Sequence, residues 1–242
     1  MQKTESVENI FARAWTLFRA NPVLLVPGLV VGLVAGLVVG LFAVRPPLDP
    51  NDYTAVIANA GRMAFAGAIS FAVSILALLI TQSYTVGMAG AAWERGTTSL
   101  ADGAAAFKHD AGRLLGIVIL LGIVGFIAAI LTLGVGWIVV LFFAIYAIPA
   151  VVLDDRQPIK ALQISFTIAT KRFAPTLIIV AALFVIGLVV GLLVLPLAFV
   201  PFLGPIVAAI VSQAVVVYST LVIVGEFLAA HRAPDIITGT PL

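Results

Sequence analysis

The chain has no cysteine and very little charge. Of its 242 residues, 10% are charged, against roughly 25% in a soluble domain. The missing cysteine excludes a disulfide scaffold, thiolate metal sites and cysteine nucleophiles. So few charged side chains cannot cover the surface of a water-soluble globule, and a 62% hydrophobic composition excludes disorder. The formal net charge of +2 is too small to indicate nucleic-acid binding. These exclusions leave a membrane protein.

Long apolar runs fill most of the chain, and a membrane-spanning helix needs about 20 such residues. The runs are continuous and do not alternate as barrel strands do, so they indicate helices. Glycine and proline make two short breaks, at 134–136 and 201–205, which separate two pairs of runs. The sequence therefore predicts an all-α integral membrane protein. Its six expected transmembrane helices cover 22–44, 66–92, 114–133, 137–153, 175–198 and 206–229.

Three segments outside the spans have the apolar spacing of amphipathic helices, at 7–18, 100–111 and 159–171. Their aromatic residues and cations suit the headgroup layer, so we expect each helix to lie along the membrane surface before its span begins. Ser99 with Asp102 resembles a capping pair, and Pro158 suits a first helical position.

The order of amphipathic helix, span, outer turn and span occurs three times. This order predicts three helix-hairpin repeats, although any multi-pass protein with short inner linkers shows a similar order, so both interpretations stay open. The expected single membrane domain, 1–242, divides into an N-terminal amphipathic helix (1–21), a first hairpin (22–92), a second unit (99–153), a third unit (157–229) and a tail (230–242).

Positive charge is unevenly divided between the two sides of the predicted bundle. Eleven of the 13 lysines and arginines lie on the side of the termini, and only Arg45 and Arg62 lie on the other. The positive-inside rule then predicts that both termini are cytoplasmic in a multi-pass protein of the plasma (inner) membrane. Five cations stand where an amphipathic helix meets its span, and we expect them to contact the headgroups of anionic lipids: Arg19, Lys108, Arg113, Lys171 and Arg172.

Polar residues within the spans are Gln82, Gln213 and Glu226. We expect the glutamines to make interhelical hydrogen bonds, and Glu226 to reach the inner interface or to pair with a nearby Arg or Lys. A polar cavity or a proton-coupled carboxylate is the alternative.

Glycines recur every four residues on one face of the first span. This spacing predicts close helix packing, either within the chain or between two copies. The glycines of this zipper are Gly28, Gly32, Gly36 and Gly40.

Three stretches, 6–22 (SVENIFARAWTLFRANP), 93–107 (WERGTTSLADGAAAF) and 160–173 (KALQISFTIATKRF), resemble a known family. They are similar to the membrane domain that is fused to some prokaryotic glycerophosphoryl diester phosphodiesterases. That domain also occurs alone in bacteria and archaea, so the resemblance implies a prokaryotic stand-alone form. The catalytic barrel of those enzymes is missing here, and the resemblance implies no phosphodiesterase activity.

No catalytic motif stands out along the chain. His109 and His231 are isolated, and neither a nucleophile elbow nor a phosphate-binding loop occurs. We expect no enzyme activity, cofactor or metal. The leading expectation is an accessory or scaffold subunit that engages membrane lipids, a partner protein or a second copy. A small transporter or lipid-translocating protein is the alternative, which the lack of a clearly broken span disfavours. An enzyme acting on lipid headgroups comes third.

Overall fold

The computed structural model describes residues 6–41, 53–133, 135–196 and 203–231, and within these ranges the chain is almost entirely helical and has no strand. The all-α prediction is confirmed. The helices of these ranges are α1 (Val7–Ala20), α2 (Val26–Leu41), α3 (Tyr53–Arg95), α4 (Leu100–Leu131), α5 (Val135–Ala144), α6 (Ala147–Leu153), α7 (Pro158–Lys171), α8 (Phe173–Val194) and α9 (Leu203–His231).

Five helical stretches are long and apolar enough to cross a membrane. They are Asn59–Arg95, Leu100–Leu131, Val135–Leu153, Phe173–Val194 and Ile210–His231. A bent pair, Val7–Ala20 with Pro22–Val38, raises the number to six when it is counted as one span. The chain is therefore a multi-pass membrane protein. Pairs α2 with α3, α4 with α5, and α8 with α9 pack as hairpins, whereas the threefold repeat stays a prediction.

The junction after α1 turns the chain by 89°. Ser6 caps the start of α1 by accepting a hydrogen bond from the backbone N–H of Asn9. Pro22 then begins a 3-10 turn, Pro22–Leu25, that leads into α2. The Asn21 side chain donates to the carbonyl of Gly96 and accepts from the N–H of Thr98. Because Asn21 is tied to the α3–α4 loop, α1 is held across the direction of the helix that follows it.

The second predicted surface helix, 100–111, is not a separate element. It forms the first turns of α4, which continues to Leu131. Asp102 accepts from the backbone N–H of Ser99 and from Arg95, which fixes where α4 begins. No proline interrupts this stretch, so the helix runs straight into the span and cannot lie along the membrane surface. The structure corrects the sequence prediction here.

The fourth predicted span is present as the helical stretch Val135–Leu153, but it contains a local turn that the sequence did not predict. α5 ends at Ala144 and α6 begins at Ala147, with a turn at Ile145 and Tyr146. The Ser165 hydroxyl from α7 accepts from the N–H of Tyr146 and donates to the carbonyl of Phe143. Pro149 has no N–H to offer the carbonyl four residues earlier. The inserted hydroxyl and the proline together explain the break.

One end of the bundle gathers the charged connections, and we call it the cationic end. It comprises α1, the α3–α4 loop, the α6–α7 loop and the last turns of α9. Arg113 of α4 pairs with Asp155 of the α6–α7 loop, and His231 of α9 lies 3.6 Å from Asp154 of the same loop. Arg62 stands 33 residues before Arg95 on α3, about 50 Å away along a straight helix. The cations at the cationic end are Arg13, Arg19, Arg95, Lys108, Arg113, Arg156, Lys160, Lys171 and Arg172.

Trp93 joins α1, α3 and α9 at the cationic end. Its ring N–H donates to the carbonyl of Leu221 at 2.8 Å, and the guanidinium of Arg13 lies 4.6 Å from its ring centre. The ring also fills the space beside Gly225, where a Cβ would stand 2.3 Å from a ring carbon. A glycine is therefore required at 225, because Trp93 cannot move without losing both contacts.

We predict that Gly225→Ala destabilises the protein by about 1–3 kcal/mol, because the added methyl overpacks against a fixed ring. The matched control is Gly187→Ala on α8, where a Cβ would meet nothing within 4 Å. There the change is expected to be neutral or to stabilise by up to about 1 kcal/mol, since alanine favours helix. Unfolding midpoints in detergent compare the two variants. Equal midpoints would mean that Trp93 does not constrain this position.

Candidate functional site

Three of the five predicted headgroup contacts are exposed at the cationic end. Arg19 lies in the last turn of α1, Lys108 lies on α4, and Lys171 ends α7. The three residues come from three different helices that meet at the same end of the bundle. They therefore form a distributed basic surface, which suits electrostatic attraction to a negatively charged membrane.

Large apolar side chains are exposed beside these cations. Trp15 on α1 is 51% exposed and Phe166 on α7 is 53% exposed. Trp15 stacks on Phe18 and meets Tyr218 of α9 edge-on, and Phe166 packs against Phe143. Each exposed ring is thus fixed by a neighbour before any lipid contacts it. Aromatic rings held near cations are typical of the membrane–water interface.

The apolar stripe of α1 contacts protein, which the amphipathic pattern alone does not reveal. Ile10, Ala14 and Leu17 are buried and belong to a core cluster that includes Leu221 and Val222 of α9. Trp15, on the edge of the helix, stays exposed. α1 is therefore a docked surface helix with a fixed orientation.

Arg113 is only partly exposed and has two carboxylate partners. Its guanidinium contacts Asp110 on the same helix and Asp155 on the α6–α7 loop. His109 stands 3.0 Å from Asp110 and 3.5 Å from Asp155. Arg113 therefore connects α4 to the α6–α7 loop, so much of its charge is matched within the protein.

The same group offers three donor atoms that lie within 4.8 Å of one another, on His109, Asp110 and Asp155. The guanidinium of Arg113 contacts both carboxylates. It therefore balances their negative charge and takes up the space that a metal ion would need. The arrangement is typical of an ion-pair network and lacks an open coordination position.

The structure corrects the prediction for Arg172. Its side chain is 9% exposed, and its Nε lies 2.5 Å from a carboxylate oxygen of Glu226, which is fully buried. A buried arginine that pairs with glutamate cannot serve as a headgroup contact. The expected pairing of Glu226 with a basic residue is confirmed, but the pair lies inside the bundle between the start of α8 and α9.

A buried polar cluster surrounds this pair. The hydroxyl of Tyr146, at the break between α5 and α6, lies 3.0 Å from the hydroxyl of Thr176. Thr176 stands one turn after Arg172, and its N–H donates to the Arg172 carbonyl. The cluster therefore links the interrupted span to the α7–α8 junction and to α9. Sequence reasoning missed Tyr146 and Thr176, although Pro149, three residues after Tyr146, was the available signal.

The two glutamines occupy different surroundings from those of Glu226. Gln82 is partly buried on α3. Gln213 of α9 lies over Gly28 of α2, where a Cβ would stand 1.7 Å from its amide nitrogen. Gly28 thus admits the amide of Gln213 into the α2–α9 contact.

Of the three glycines of this face that the structure describes, Gly28 packs within the chain and the other two do not. Gly32 and Gly36 are exposed, and a Cβ at either would meet nothing within 4 Å. For these two positions the prediction of packing within one chain is wrong, because α3 packs against α2 without covering its glycine face there. The packing of Gly40 lies outside the described residues. Packing between two copies stays a prediction.

Comparisons of this chain with protein-family models, with curated proteins and with solved structures find no match. The resemblance to the membrane domain of prokaryotic glycerophosphoryl diester phosphodiesterases therefore stays a prediction.

The buried ion pair has a measurable consequence for stability. We predict that Arg172→Met or Glu226→Gln alone lowers the free energy of unfolding by about 3–5 kcal/mol, because removing one partner strands a buried charge or leaves its hydrogen bonds unmade. The double variant is expected to recover most of that loss. The matched control is Arg95→Gln in the exposed Arg95–Asp102 pair, where the effect should be much smaller. Additive losses in the double variant would contradict the assigned pairing.

Proposed function

We propose that this protein is a non-catalytic scaffold of the prokaryotic cell membrane whose cationic end engages anionic lipid at the cytoplasmic surface. The observation that carries the proposal is the joint exposure of cations and apolar rings on separate helices at one end of the bundle. Arg19 with Trp15 on α1, and Lys171 with Phe166 on α7, illustrate it.

The bend after α1 supports this interpretation. Pro22–Val38 follows α1 at an angle of 89°, so α1 lies parallel to the membrane if Pro22–Val38 is the part that crosses it. Trp15 then stands at headgroup depth. Each Lys or Arg near an anionic leaflet adds about 1 kcal/mol of attraction. Several such contacts on fixed helices favour retention of anionic lipid without any enclosed binding pocket.

Two groups of titratable residues at the cationic end, among the described residues, also agree with a lipid-binding scaffold. The His109 group contains Arg113 between its carboxylates, and the Glu226 carboxylate is sealed by Arg172. His109 and Asp155 are exposed and lie 3.5 Å apart, but the guanidinium of Arg113 already pairs with Asp155. The basic surface can bind phosphate, and a second copy or a partner protein would dock on the same face.

We expect replacement of Arg19, Lys108 and Lys171 by Gln to lower the retention of anionic phospholipid, by about 1 kcal/mol of attraction per cation removed. Native mass spectrometry of the detergent-released protein, with matched anionic and zwitterionic lipids, measures this retention. Arg62→Gln, at the opposite end of α3, is the control and should change nothing. Equal retention of both lipids by the parent protein would refute the proposal.

Orientation is tested directly, because the chain contains no native cysteine. We predict that Leu133→Cys, in the exposed α4–α5 turn, is labelled by an impermeant thiol reagent added to intact cells. Thr97→Cys, in the exposed α3–α4 loop, should be labelled only after lysis, because positive charge keeps that end inside. The reverse pattern would place the cationic end outside the cell.

A small transporter or lipid-translocating protein is the second candidate, and the interrupted fourth span favours it. Transporters place binding sites at broken helices near the membrane midplane, and here the break at Tyr146 joins the buried polar cluster. Thiol accessibility of Tyr146→Cys separates the candidates, with Ala150→Cys, equally buried, as control. A transporter exposes position 146 to water during its cycle, whereas a scaffold keeps both positions sealed.

A further inference from the structure

An apolar groove of about 380 Å³ lies where α7 begins beside α4. Its walls are Gly116, Ile119, Leu120 and Ile123 of α4, together with residues 157–159. Ile119 and Ile123 are each more than half exposed, so the groove faces the surroundings of the bundle. Leu100–Leu131 is long and apolar enough to cross a membrane, and in that position the groove faces hydrocarbon. We infer that the groove binds one acyl chain of a membrane phospholipid, an inference that rests on the proposed lipid-engaging function and deepens it.

The groove runs from headgroup level into the bilayer core. Arg113, one turn before Gly116 on α4, pairs with Asp155 in the charged α6–α7 loop, which fixes the polar level. Ile123 stands seven residues beyond Gly116, roughly 10 Å deeper along the helix. An acyl chain lying along Gly116, Ile119 and Ile123 therefore follows the direction that lipid chains take in the leaflet.

Close approach of two segments makes the groove a defined feature of the surface. Gly116 has no side chain, and a Cβ there would stand 3.0 Å from the ring of Pro158. Pro158 begins α7, so α7 starts directly against the α4 backbone. Two helix surfaces that meet at a glycine leave a crevice beside the contact, and Ile159 forms its second wall.

Charge at the polar end of the groove is complementary to a phosphate. Lys160 is exposed and follows Ile159 directly. The first backbone N–H groups of α7 point toward the same end, and Gln157 supplies no side-chain cap for them. Arg113, at a similar level, is held by Asp110 and Asp155. Lys160 is therefore the cation that we assign to the lipid phosphate.

Photocrosslinking with the full chain in lipid nanodiscs tests the inference. The probe is phosphatidylglycerol with a diazirine in its acyl chain, and the modified peptides are mapped by mass spectrometry. We expect residues 116–123 and 157–159 to be labelled several-fold more than residues 184–193 of α8, which also present exposed apolar side chains. Equal labelling of the two regions would mean ordinary solvation by lipid and would overturn the inference.

A matched pair of variants sharpens the result. Ile123→Trp fills the groove and should abolish the excess labelling. Ile127→Trp, one turn further along α4 at nearly equal exposure (52% against 54%) but outside the groove, should leave it intact. Lys160→Gln should weaken the labelling, and Lys160→Arg should restore it. Identical behaviour of the two tryptophan variants would contradict a defined acyl-chain site.

The outcome is distinguishable from failure of the proposed function. Loss of the groove labelling pattern while the parent protein still prefers anionic lipid would overturn the groove alone. Localised labelling of the groove in a protein that retains anionic and zwitterionic lipid equally would overturn the basic lipid-engaging surface and leave the acyl-chain site standing.

Discussion

The pairing of Arg172 with Glu226 constrains how the cationic half of the bundle can be arranged. Burying either charge without its partner would cost several kcal/mol. Because Arg172 and Glu226 are both buried, the start of α8 must lie against α9 in the folded protein. Thr176, one turn along, then reaches Tyr146 at the break in the fourth span. On the other side of Arg172, α7 places Ser165 into that same break. One ion pair thus fixes a surface helix, an interrupted span and the last helix relative to one another.

Features that depend on local composition could be predicted from the sequence. The apolar runs of spanning length predicted an all-α membrane protein. Pro22 and Pro158 stand at the starts of helices in the structure, as the sequence indicated. The gathering of cations at one end follows from the same runs, because each connector carries its own Lys and Arg. The contacts between the α3–α4 loop and α1, through Asn21, show that these connectors meet at one end.

Features that depend on a distant partner could not be predicted. Arg172 and its neighbour Lys171 stand in the same local sequence. Arg172 is buried because it pairs with Glu226 of α9, whereas Lys171 is exposed. The break at Tyr146 needs a hydroxyl supplied 19 residues later by Ser165. The glycine face of α2 is regular in sequence, yet of Gly28, Gly32 and Gly36 only Gly28 meets another helix on that face, because spacing does not say which neighbours are present.

Fluorescence quenching of Trp15 by phospholipids brominated at graded depths measures directly whether α1 lies at headgroup depth on the cationic surface. A Trp137→Phe variant removes the tryptophan at the opposite end, and Trp93, only 3% exposed, is out of reach of lipid. If α1 lies at headgroup depth, bromine placed nearest the headgroup quenches Trp15 most strongly. Strongest quenching by bromine at the end of the acyl chain, or no quenching at any depth, would contradict it.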